Sequence, residues 1–205
     1  MAHSLARLGI VATGIALLAG AGCWDSGPAR VVAPAIDSAA GSKAMQEFDA
    51  NKDGVLDATE LEKCPGLKAA LSKIDTKGDG KITADEINAR IKAWKDLKIG
   101  RMRITCRVMH NGQPLAGATV VFEPEKFLGD QLKPATGTTD AAGTVSPDAP
   151  YEGGVKGGIA PGFYRVKITK SGEDIPAKYN TETILGQEAA PDAANFRGIK
   201  FDLEY

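Results

Sequence analysis

The sequence DANKDGVLDATE at residues 49–60 recurs further along the chain as DTKGDGKITADE at residues 75–86. Both copies have aspartate at the first and fifth positions, glycine at the sixth and glutamate at the twelfth. Short acidic side chains on alternate residues can point into one sharp turn, and glycine permits the left-handed backbone that such a turn needs. The repeat therefore predicts two similar loops that each gather oxygen atoms around one point.

The first loop offers a set of oxygen ligands that suits calcium, a hard cation that takes roughly six to eight oxygen atoms. In loop order the predicted ligands are Asp49, Asn51, Asp53, the backbone carbonyl of Val55, Asp57 and Glu60. Asp57 is expected to bind directly or through water, and Glu60 is expected to close the shell with both carboxylate oxygens. Because every constrained position holds the residue type that calcium needs, the pattern favours a metal loop over an ordinary Asp/Gly turn.

The second loop lacks one of these ligands. Its predicted ligands are Asp75, Asp79, the backbone carbonyl of Lys81, Thr83 and Glu86. The third position holds Lys77, which removes an oxygen and brings a positive charge close to the ion. At about 4 Å and an effective dielectric of about 20, two unit charges repel by about 4 kcal/mol, although a long lysine can swing outward. We expect this loop to bind calcium more weakly, or to remain empty and structural.

Helical spacing of apolar residues flanks both loops. Leu56 and Ile82 occupy the eighth position of their loops, where a short two-stranded contact is expected to join them. Phe48 and Trp94, in the flanking helices, are expected to be core aromatics and not a target-binding surface. On these residues, positions 43–98 resemble a calmodulin-like EF-hand pair, which implies Ca²⁺ as the bound cofactor.

Charge within this segment indicates a modest affinity. Residues 43–98 contain 11 basic and 11 acidic residues, a net charge of zero. Strongly acidic calcium sensors differ from this balance. Extracellular calcium modules work at a Kd of about 10⁻⁴–10⁻³ M, which is the range we expect here.

Beyond Gly100 the apolar period changes from helical to alternating. Residues 102–110 alternate as a half-buried strand does, and Asn111-Gly112 is a strong hairpin signal. Further short runs rich in β-branched and aromatic residues lie at 118–124, 136–145, 161–169, 180–185 and 197–205. The pattern predicts an antiparallel β-sandwich of about seven strands. The expected fold class is α+β multidomain, with a helical pair at 43–98 and the sandwich at 101–205.

A second resemblance covers residues 101–205. It rests on GQPLAGATVVFEP at 112–124, TTDAAGTV at 138–145 and PGFYRVKITK at 161–170. These stretches are similar to the carboxypeptidase regulatory-like, or transthyretin-like, sandwich of bacterial surface proteins. The resemblance implies an interaction or spacer module without peptidase activity, and the sequence lacks the His/Glu zinc ligands that a carboxypeptidase requires.

The N-terminus has the pattern of an export signal. Arg7 is its only charged residue, an apolar run covers residues 8–19, and small residues lead to Cys23. Residues 1–22 resemble a bacterial lipoprotein signal peptide, whose removal leaves Cys23 as the lipidated N-terminus. Ordinary secretion, with Cys23 coincidental, is the alternative. Residues 23–42 are rich in Pro, Ala and Gly and are expected to form a flexible tether.

Composition excludes several classes of function. Lys and Arg total 25 against 26 Asp and Glu, a net charge of −1, and aromatic residues are only 6%. Neither value suits a dedicated nucleic-acid binder. Two histidines and three cysteines leave little room for a zinc site or a nucleophilic catalytic set. Cys64 and Cys106 form an even pair that an oxidising compartment could join, but Cys106 is expected to pack in the core instead.

These observations predict a non-enzymatic, calcium-binding lipoprotein of the bacterial cell envelope. Its expected partners are calcium, a membrane reached through the lipid anchor, and an envelope protein or polysaccharide. The alternative is a carbohydrate- or wall-binding module whose calcium loops are structural. Tyr151, Phe163 and Tyr164 are the candidates for its aromatic platform, although strand alternation also explains them as core. A hydrolase is the weakest hypothesis, because a mature chain with one histidine has few candidates for a general base.

Overall fold

A computed structural model describes residues 33, 35–150 and 157–205. The helices in these residues are α1 (Ala40–Phe48), α2 (Ala58–Leu61), α3 (Pro65–Ile74) and α4 (Ala84–Asp96). The strands are β1 (Cys106–His110), β2 (Gln113–Pro114), β3 (Thr119–Pro124), β4 (Ala135–Thr138), β5 (Thr144–Val145), β6 (Gly162–Thr169), β7 (Gly186–Ala189) and β8 (Ile199–Leu203). Short 3₁₀ turns lie at Lys126–Leu128 and Ala177–Tyr179. The predicted signal peptide, Cys23 and Tyr151 lie outside the described residues.

Two of the helices begin inside the repeated loops and are capped by loop side chains. The Asp57 carboxylate accepts from the first N–H groups of α2, and Glu60 reaches back to the Asp57 N–H. Thr83 and Glu86 form the same capping box at the start of α4. Each box satisfies backbone N–H groups that a helix otherwise leaves without partners. The ninth and twelfth residues of each loop are therefore fixed side by side.

The first sheet is built around β1, which pairs with β2, β5 and β8. The hairpin from β1 to β2 turns at Asn111 and Gly112, whose φ angles of 48° and 77° are those of the predicted tight turn. β8 runs parallel to β1, with Cys106 opposite Ile199. The sequence predicted an antiparallel sandwich, so this parallel pair differs from the prediction. A parallel pair needs a long connection, and here the strands of the second sheet lie between β1 and β8 in the chain.

The second sheet has the order β4-β3-β6-β7 and is antiparallel throughout. In β6 two consecutive aromatic residues, Phe163 and Tyr164, are both fully buried. Successive side chains of a strand point to opposite faces, so both faces of this sheet must be covered. The Tyr164 ring lies 6.1 Å from that of Phe122 inside the sandwich, and the Phe163 ring lies 4.5 Å from that of Trp94 in α4.

The second sheet is therefore the middle layer of three, with the helices over its outer face and the first sheet over its inner face. The predicted α+β fold class is confirmed. The described residues contain eight strands in two sheets, where the sequence indicated about seven.

The strand predicted at residues 180–185 is wrong. The N–H groups of Glu182 and Ile184 donate to the carbonyls of Ala177 and Lys178 in the preceding 3₁₀ turn, so these two donors are satisfied locally and not by a neighbouring strand. Ile184 remains 52% exposed. The strand is instead β7, the four residues that follow. Its sequence, GQEA, has no β-branched residue that would predict a strand. Gln187 and Glu188 are buried in it because each has a specific polar partner, Asn195 and Arg90 respectively.

The helices and both sheets share one hydrophobic core. Ile36, near the end of the segment predicted as a tether, is buried in it. Cys64 and Cys106 are buried free thiols, so the disulfide that the sequence left open is not formed and Cys106 packs in the core as expected. Among the described residues, none of the helices is both long and apolar enough to span a bilayer.

Candidate metal centre

In the first loop, backbone N–H groups hold the oxygens of the predicted ligands inside the turn. The Asp49 carboxylate accepts hydrogen bonds from the N–H groups of Asp53 (3.2 Å) and Gly54 (3.0 Å). Asn51 Oδ1 accepts from the Asp53 N–H at 2.9 Å, and Asp53 Oδ1 accepts from the Val55 N–H at 3.1 Å. These bonds orient three ligand side chains and wrap the backbone around their oxygens.

Left-handed residues make this turn possible. Gly54 has φ 85° and its counterpart Gly80 has φ 76°, as their sixth position in the loop predicts. The fourth position is left-handed as well, with Lys52 at φ 60° and Gly78 at φ 74°. Sequence reasoning missed this requirement because lysine gives no signal for it. For a residue with a Cβ this conformation costs roughly 1–2 kcal/mol, which the surrounding hydrogen bonds must offset.

The end of the first loop is tied back to its beginning by Glu60, which is only 5% exposed. Its Oε1 accepts from the Ala50 N–H at 2.8 Å and more weakly from the Asn51 N–H, and its Oε2 accepts from the Asp57 N–H at 3.1 Å. A carboxylate oxygen has two lone pairs, so one hydrogen bond leaves capacity for an ion. Glu60 is therefore positioned at the loop closure that its predicted role requires.

The second loop repeats this arrangement. The Asp75 carboxylate accepts from the N–H groups of Gly78 (2.7 Å) and Gly80 (2.8 Å), and Asp79 Oδ1 accepts from the Lys81 N–H at 3.0 Å. The hydrogen bond from the Gly80 N–H, with smaller contributions from neighbouring N–H groups, lowers the pKa of Asp75 below its usual value. Asp75 therefore remains ionised over a wider pH range than a free aspartate.

Glu86 closes the second loop as Glu60 closes the first. It accepts from Thr76 through its Oε1 and from the N–H (3.0 Å) and hydroxyl (2.8 Å) of Thr83 through its Oε2. Burial raises the pKa of Glu86, but the hydrogen bonds from Thr83 and Thr76 outweigh burial and leave the pKa lowered. Thr83 and Glu86 thus lie together, as their predicted roles as ligands require.

Lys77 is the exposed residue at the third position of the second loop. Where Asn51 supplies a side-chain oxygen in the first loop, Lys77 supplies an ammonium group. That group has no carboxylate partner among the described residues, so none of them neutralises its charge beside the loop. The first loop carries four carboxylates and one ammonium, a net charge of −3, and the second carries four and two, a net charge of −2.

The two loops are joined as predicted. Leu56 and Ile82 exchange two backbone hydrogen bonds, at 2.8 Å and 3.1 Å, and both are fully buried. In the seventh position beside this contact, the carbonyls of Val55 and Lys81 accept no hydrogen bond from any described residue. Each is therefore free to act as the backbone ligand that the sequence assigned to it.

The donor set fits calcium in its chemistry, since all of the predicted ligand atoms are oxygens. However, no three His, Cys, Asp or Glu side chains within residues 33, 35–150 and 157–205 lie close enough to share one metal ion. In the first loop the carboxylates of Asp49, Asp53, Asp57 and Glu60 all accept hydrogen bonds from backbone N–H groups. Binding an ion therefore requires the carboxylates of the loop to draw closer together than they lie here.

A largely buried ion-pair network, which no local sequence pattern predicts, fixes α4 to the second sheet. Arg90 Nε donates to Glu188 Oε1 at 2.6 Å, and its two Nη atoms donate to Asp192 at 2.8 Å each. The indole N–H of Trp94 also donates to Glu188 Oε1, at 3.0 Å. Burial raises the pKa of Glu188, although Arg90 and Trp94 oppose this effect. Because α4 begins at Ala84, inside the second loop, this network connects the end of that loop to β7.

A second buried carboxylate fixes the start of α3. Glu125 is completely buried, and it accepts from the Gly66 N–H at 3.1 Å and from Arg165 Nη2 at 2.8 Å. Burial raises the pKa of Glu125, and the neighbouring Arg165 acts against this. The pKa of Cys64, beside the same carboxylate, is raised well above its usual value by burial and then by Glu125. The burial of Glu125 could not be predicted from the residues around it, because its partners Gly66 and Arg165 are distant in sequence.

Comparison with protein families matches the EF hand family at residues 43–65 and 67–91. Each matched segment contains one of the two loops, which supports the interpretation of this region as an EF-hand pair, and the EF hand is a calcium-binding motif. Comparisons with curated proteins and with solved structures produced no match.

Proposed function

We propose that this protein is a non-enzymatic, calcium-binding lipoprotein exported to the bacterial cell envelope, in which calcium stabilises one unit built from the EF-hand pair and the sandwich. The observation that carries the calcium part is the first loop. There Asp49, Asn51 and Asp53 are held by backbone N–H groups around a common turn that Glu60 closes.

A stabilising role suits the surroundings of the pair better than capture of a target. Calcium sensors expose an apolar groove when they bind the ion. Here the flanking aromatics are already covered by the sandwich region: Phe48 packs edge-on against Phe127, and Trp94 against Phe163. The expectation that Phe48 and Trp94 are core residues is confirmed, since they are 6% and 2% exposed.

The two loops are proposed to bind calcium unequally. The two loops have similar hydrogen-bonded frames, and the largest difference between them is at the third position, with a smaller one at the ninth, where the Thr83 hydroxyl replaces the Asp57 carboxylate. Asn51 provides an oxygen there, whereas Lys77 provides a cation. The dominant ligands are then Asp49, Asp53 and Glu60, and the second loop, with Asp75, Asp79, Lys81, Thr83 and Glu86, fills at higher calcium or not at all.

Calorimetric titration of the purified protein with calcium tests this assignment. Glu60→Gln should weaken binding to the first loop more than tenfold, because losing a charged ligand costs more than about 1.4 kcal/mol. Glu62→Gln is the matched control: it makes the same change two residues away, on an exposed side chain that pairs with Lys68 at the protein surface. Intact binding in Glu60→Gln, or an equal loss in Glu62→Gln, would contradict the assignment.

Lys77→Asp tests the ranking of the two loops. It restores an oxygen at the third position and removes the cation, so the stoichiometry should rise toward two ions per chain. Lys73→Asp, one turn earlier in α3, makes the same charge change outside the loop. If both variants raised the stoichiometry equally, general charge and not the ligand position would explain the result.

The sandwich is proposed to be an interaction or spacer module, on its resemblance to the carboxypeptidase regulatory-like family. No observation favours the alternative of a wall- or carbohydrate-binding module, because Phe163 and Tyr164 are fully buried and offer no stacking platform. Tyr151, the third candidate, lies outside the described residues.

Export and lipidation are proposed from residues 1–23 alone. Mass spectrometry of the protein purified from its native membrane should find a chain that begins at Cys23 and carries acyl mass. A mature chain beginning elsewhere, without acyl mass, would leave ordinary secretion.

The non-enzymatic part of the proposal is supported by the placement of acidic residues. Glu125 and Glu188, the buried carboxylates outside the loops, are each engaged by an arginine and by further donors. A broad screen for esterase and glycosidase turnover tests it, and turnover by the purified protein would overturn it.

A further inference from the structure

A cavity of about 310 Å³ lies beside β1 in the first sheet, away from the calcium loops. It is lined by Thr105, just before β1, and Arg107 in β1, by Thr144 of β5, by Arg197 in the turn before β8, and by Lys200 in β8. We call these five residues the cationic groove. Ligand pockets in proteins have volumes of about 300–1,000 Å³, so this one has room for a small ligand or for one group of a larger ligand.

Positive charge is concentrated in this groove. The register places Arg107 directly opposite Lys200 on one neighbouring strand and opposite Thr144 on another. Like charges opposite each other on paired strands destabilise a sheet, so the fold gains nothing from this arrangement. None of the residues that line the cavity is acidic.

The cations of the groove are also poorly neutralised. Within the part of the chain that the structure describes, Arg107 and Arg197 make no ion pair or hydrogen bond through their side chains. Lys200 pairs with Asp202 at 2.9 Å, and its side chain remains 52% exposed. Three positive charges thus share one carboxylate, in a chain whose net charge is only −1.

Hydroxyl groups complete the groove. Thr105 Oγ1 lies 2.8 Å from Ser146 Oγ, and only one of these hydroxyls can donate to the other. One O–H of the pair is therefore left to donate elsewhere. Cys106 also lines the cavity, but burial raises the pKa of its thiol to about 12, so it adds no negative charge.

We propose that the cationic groove binds a phosphate group, with Arg107 and Arg197 as guanidinium donors, Lys200 as a further charge and the Thr105–Ser146 pair as a hydroxyl donor. Guanidinium groups match the oxygens of phosphate and carboxylate in pairs of parallel hydrogen bonds. A phosphate carries up to two negative charges, which suits three cations better than the single charge of a carboxylate. The phosphate belongs either to a small soluble compound or to the headgroup of an anionic lipid.

The test measures binding of inorganic phosphate to the calcium-free full-length protein by phosphorus NMR titration. The double variant Arg107→Gln/Arg197→Gln should weaken phosphate binding at least tenfold, because removing one charge-assisted hydrogen bond lowers the affinity roughly tenfold. Lys68→Gln/Lys92→Gln removes two exposed charges from the helices and is the matched control. Its binding should equal that of the unchanged protein.

Two further measurements make the result decisive. The groove variant should keep its unfolding temperature, since removing opposed like charges costs no packing. Sedimentation with vesicles of phosphatidylglycerol or of phosphatidylcholine then separates the two sources of phosphate. If more protein sediments with phosphatidylglycerol than with phosphatidylcholine, and the groove variant loses this difference, the ligand is a lipid headgroup. If the groove residues affect only the binding of free phosphate, the ligand is a soluble compound. Absence of both, or an equal loss in the control, would overturn the proposal.

Discussion

Replacing Arg90 by Met should destabilise the whole folded unit. Arg90 and Glu188 are only 8% and 2% exposed, and their side chains meet at 2.6 Å. Without the guanidinium, the Glu188 carboxylate keeps a single donor, the Trp94 indole N–H, and its Oε2 already has no partner. Removing one member of a buried ion pair costs about 3–5 kcal/mol, because the remaining charge is left in a poorly solvating environment.

The loss has an upper limit, since Glu188 can take up a proton instead of remaining charged. Asp192, the other partner of Arg90, is 52% exposed and can be solvated by water, so it adds little. We therefore expect a loss of about 3 kcal/mol at pH 7, out of a total stability of about 5–15 kcal/mol for an average domain.

Urea unfolding followed by far-UV circular dichroism measures this loss. Burial holds the pKa of Glu188 above that of the unfolded chain, so the folded state binds the proton more readily. The deficit of Arg90→Met should accordingly shrink as the pH falls from 7 toward 5, because protonation removes the unpaired charge. Adding Glu188→Gln to the variant should recover much of the deficit at pH 7 for the same reason.

Lys92→Met, on the same helix, is the matched control. Its pair with Asp96 is exposed, at 74% and 62%, so the change should be within about 0.5 kcal/mol of neutral. An Arg90→Met deficit below about 1 kcal/mol, or one that did not change with pH, would refute the view that this ion pair holds α4 against the sheet.

Three further predictions concern the same unit. Calcium at 100 times its Kd should raise the free energy of unfolding by about 2.7 kcal/mol, and hydrogen exchange should slow in the helices and the second sheet together, because they share one core. Gly186→Ala should strongly lower the unfolding temperature, since its Cβ would lie 1.8 Å from the Pro65 carbonyl oxygen, whereas Gly198→Ala meets nothing within 4 Å. The hydrogen bond from Arg90 lowers the pKa of Asp192, so its contribution is complete above the usual value of 3.8 and is lost as the pH falls below it. Asp192→Asn should therefore be less stable than the unchanged protein above this pH, and an acid titration of the two proteins should show the difference disappear as the pH falls below 3.8.

The calcium loops could be predicted from sequence because their information is local. Within twelve residues, the positions of aspartate, glycine and glutamate determine both the turn and the donors, and the structure holds Asp49 and Glu60 accordingly. The Leu56–Ile82 contact was equally predictable, since it depends only on the position of these residues in two similar loops.

Strand β7 could not be predicted, because what stabilises it lies far away in the sequence. Glu188 is tolerated at 2% exposure only because Arg90 and Trp94, nearly a hundred residues earlier, donate to it. Residues 180–185 have a more strand-like composition but form no strand, because the 3₁₀ turn before them accepts hydrogen bonds from the N–H groups of Glu182 and Ile184. Propensity alone has no means of ranking these two stretches.

The docking of α3 on the second sheet depends on a fit between backbones that neither segment encodes alone. A Cβ on Gly66 would meet Glu125 at 2.9 Å, and one on Gly186 would meet the Pro65 carbonyl. From the sequence alone, each glycine would be interpreted as a turn former, because the surface that it packs against is formed by residues distant in sequence. The adjacent buried pair Phe163 and Tyr164 was the one local sign that both faces of the sheet are covered. Because α3 leads directly into the second calcium loop, this contact makes the sandwich part of the loop's surroundings, and calcium binding and sandwich stability should change together.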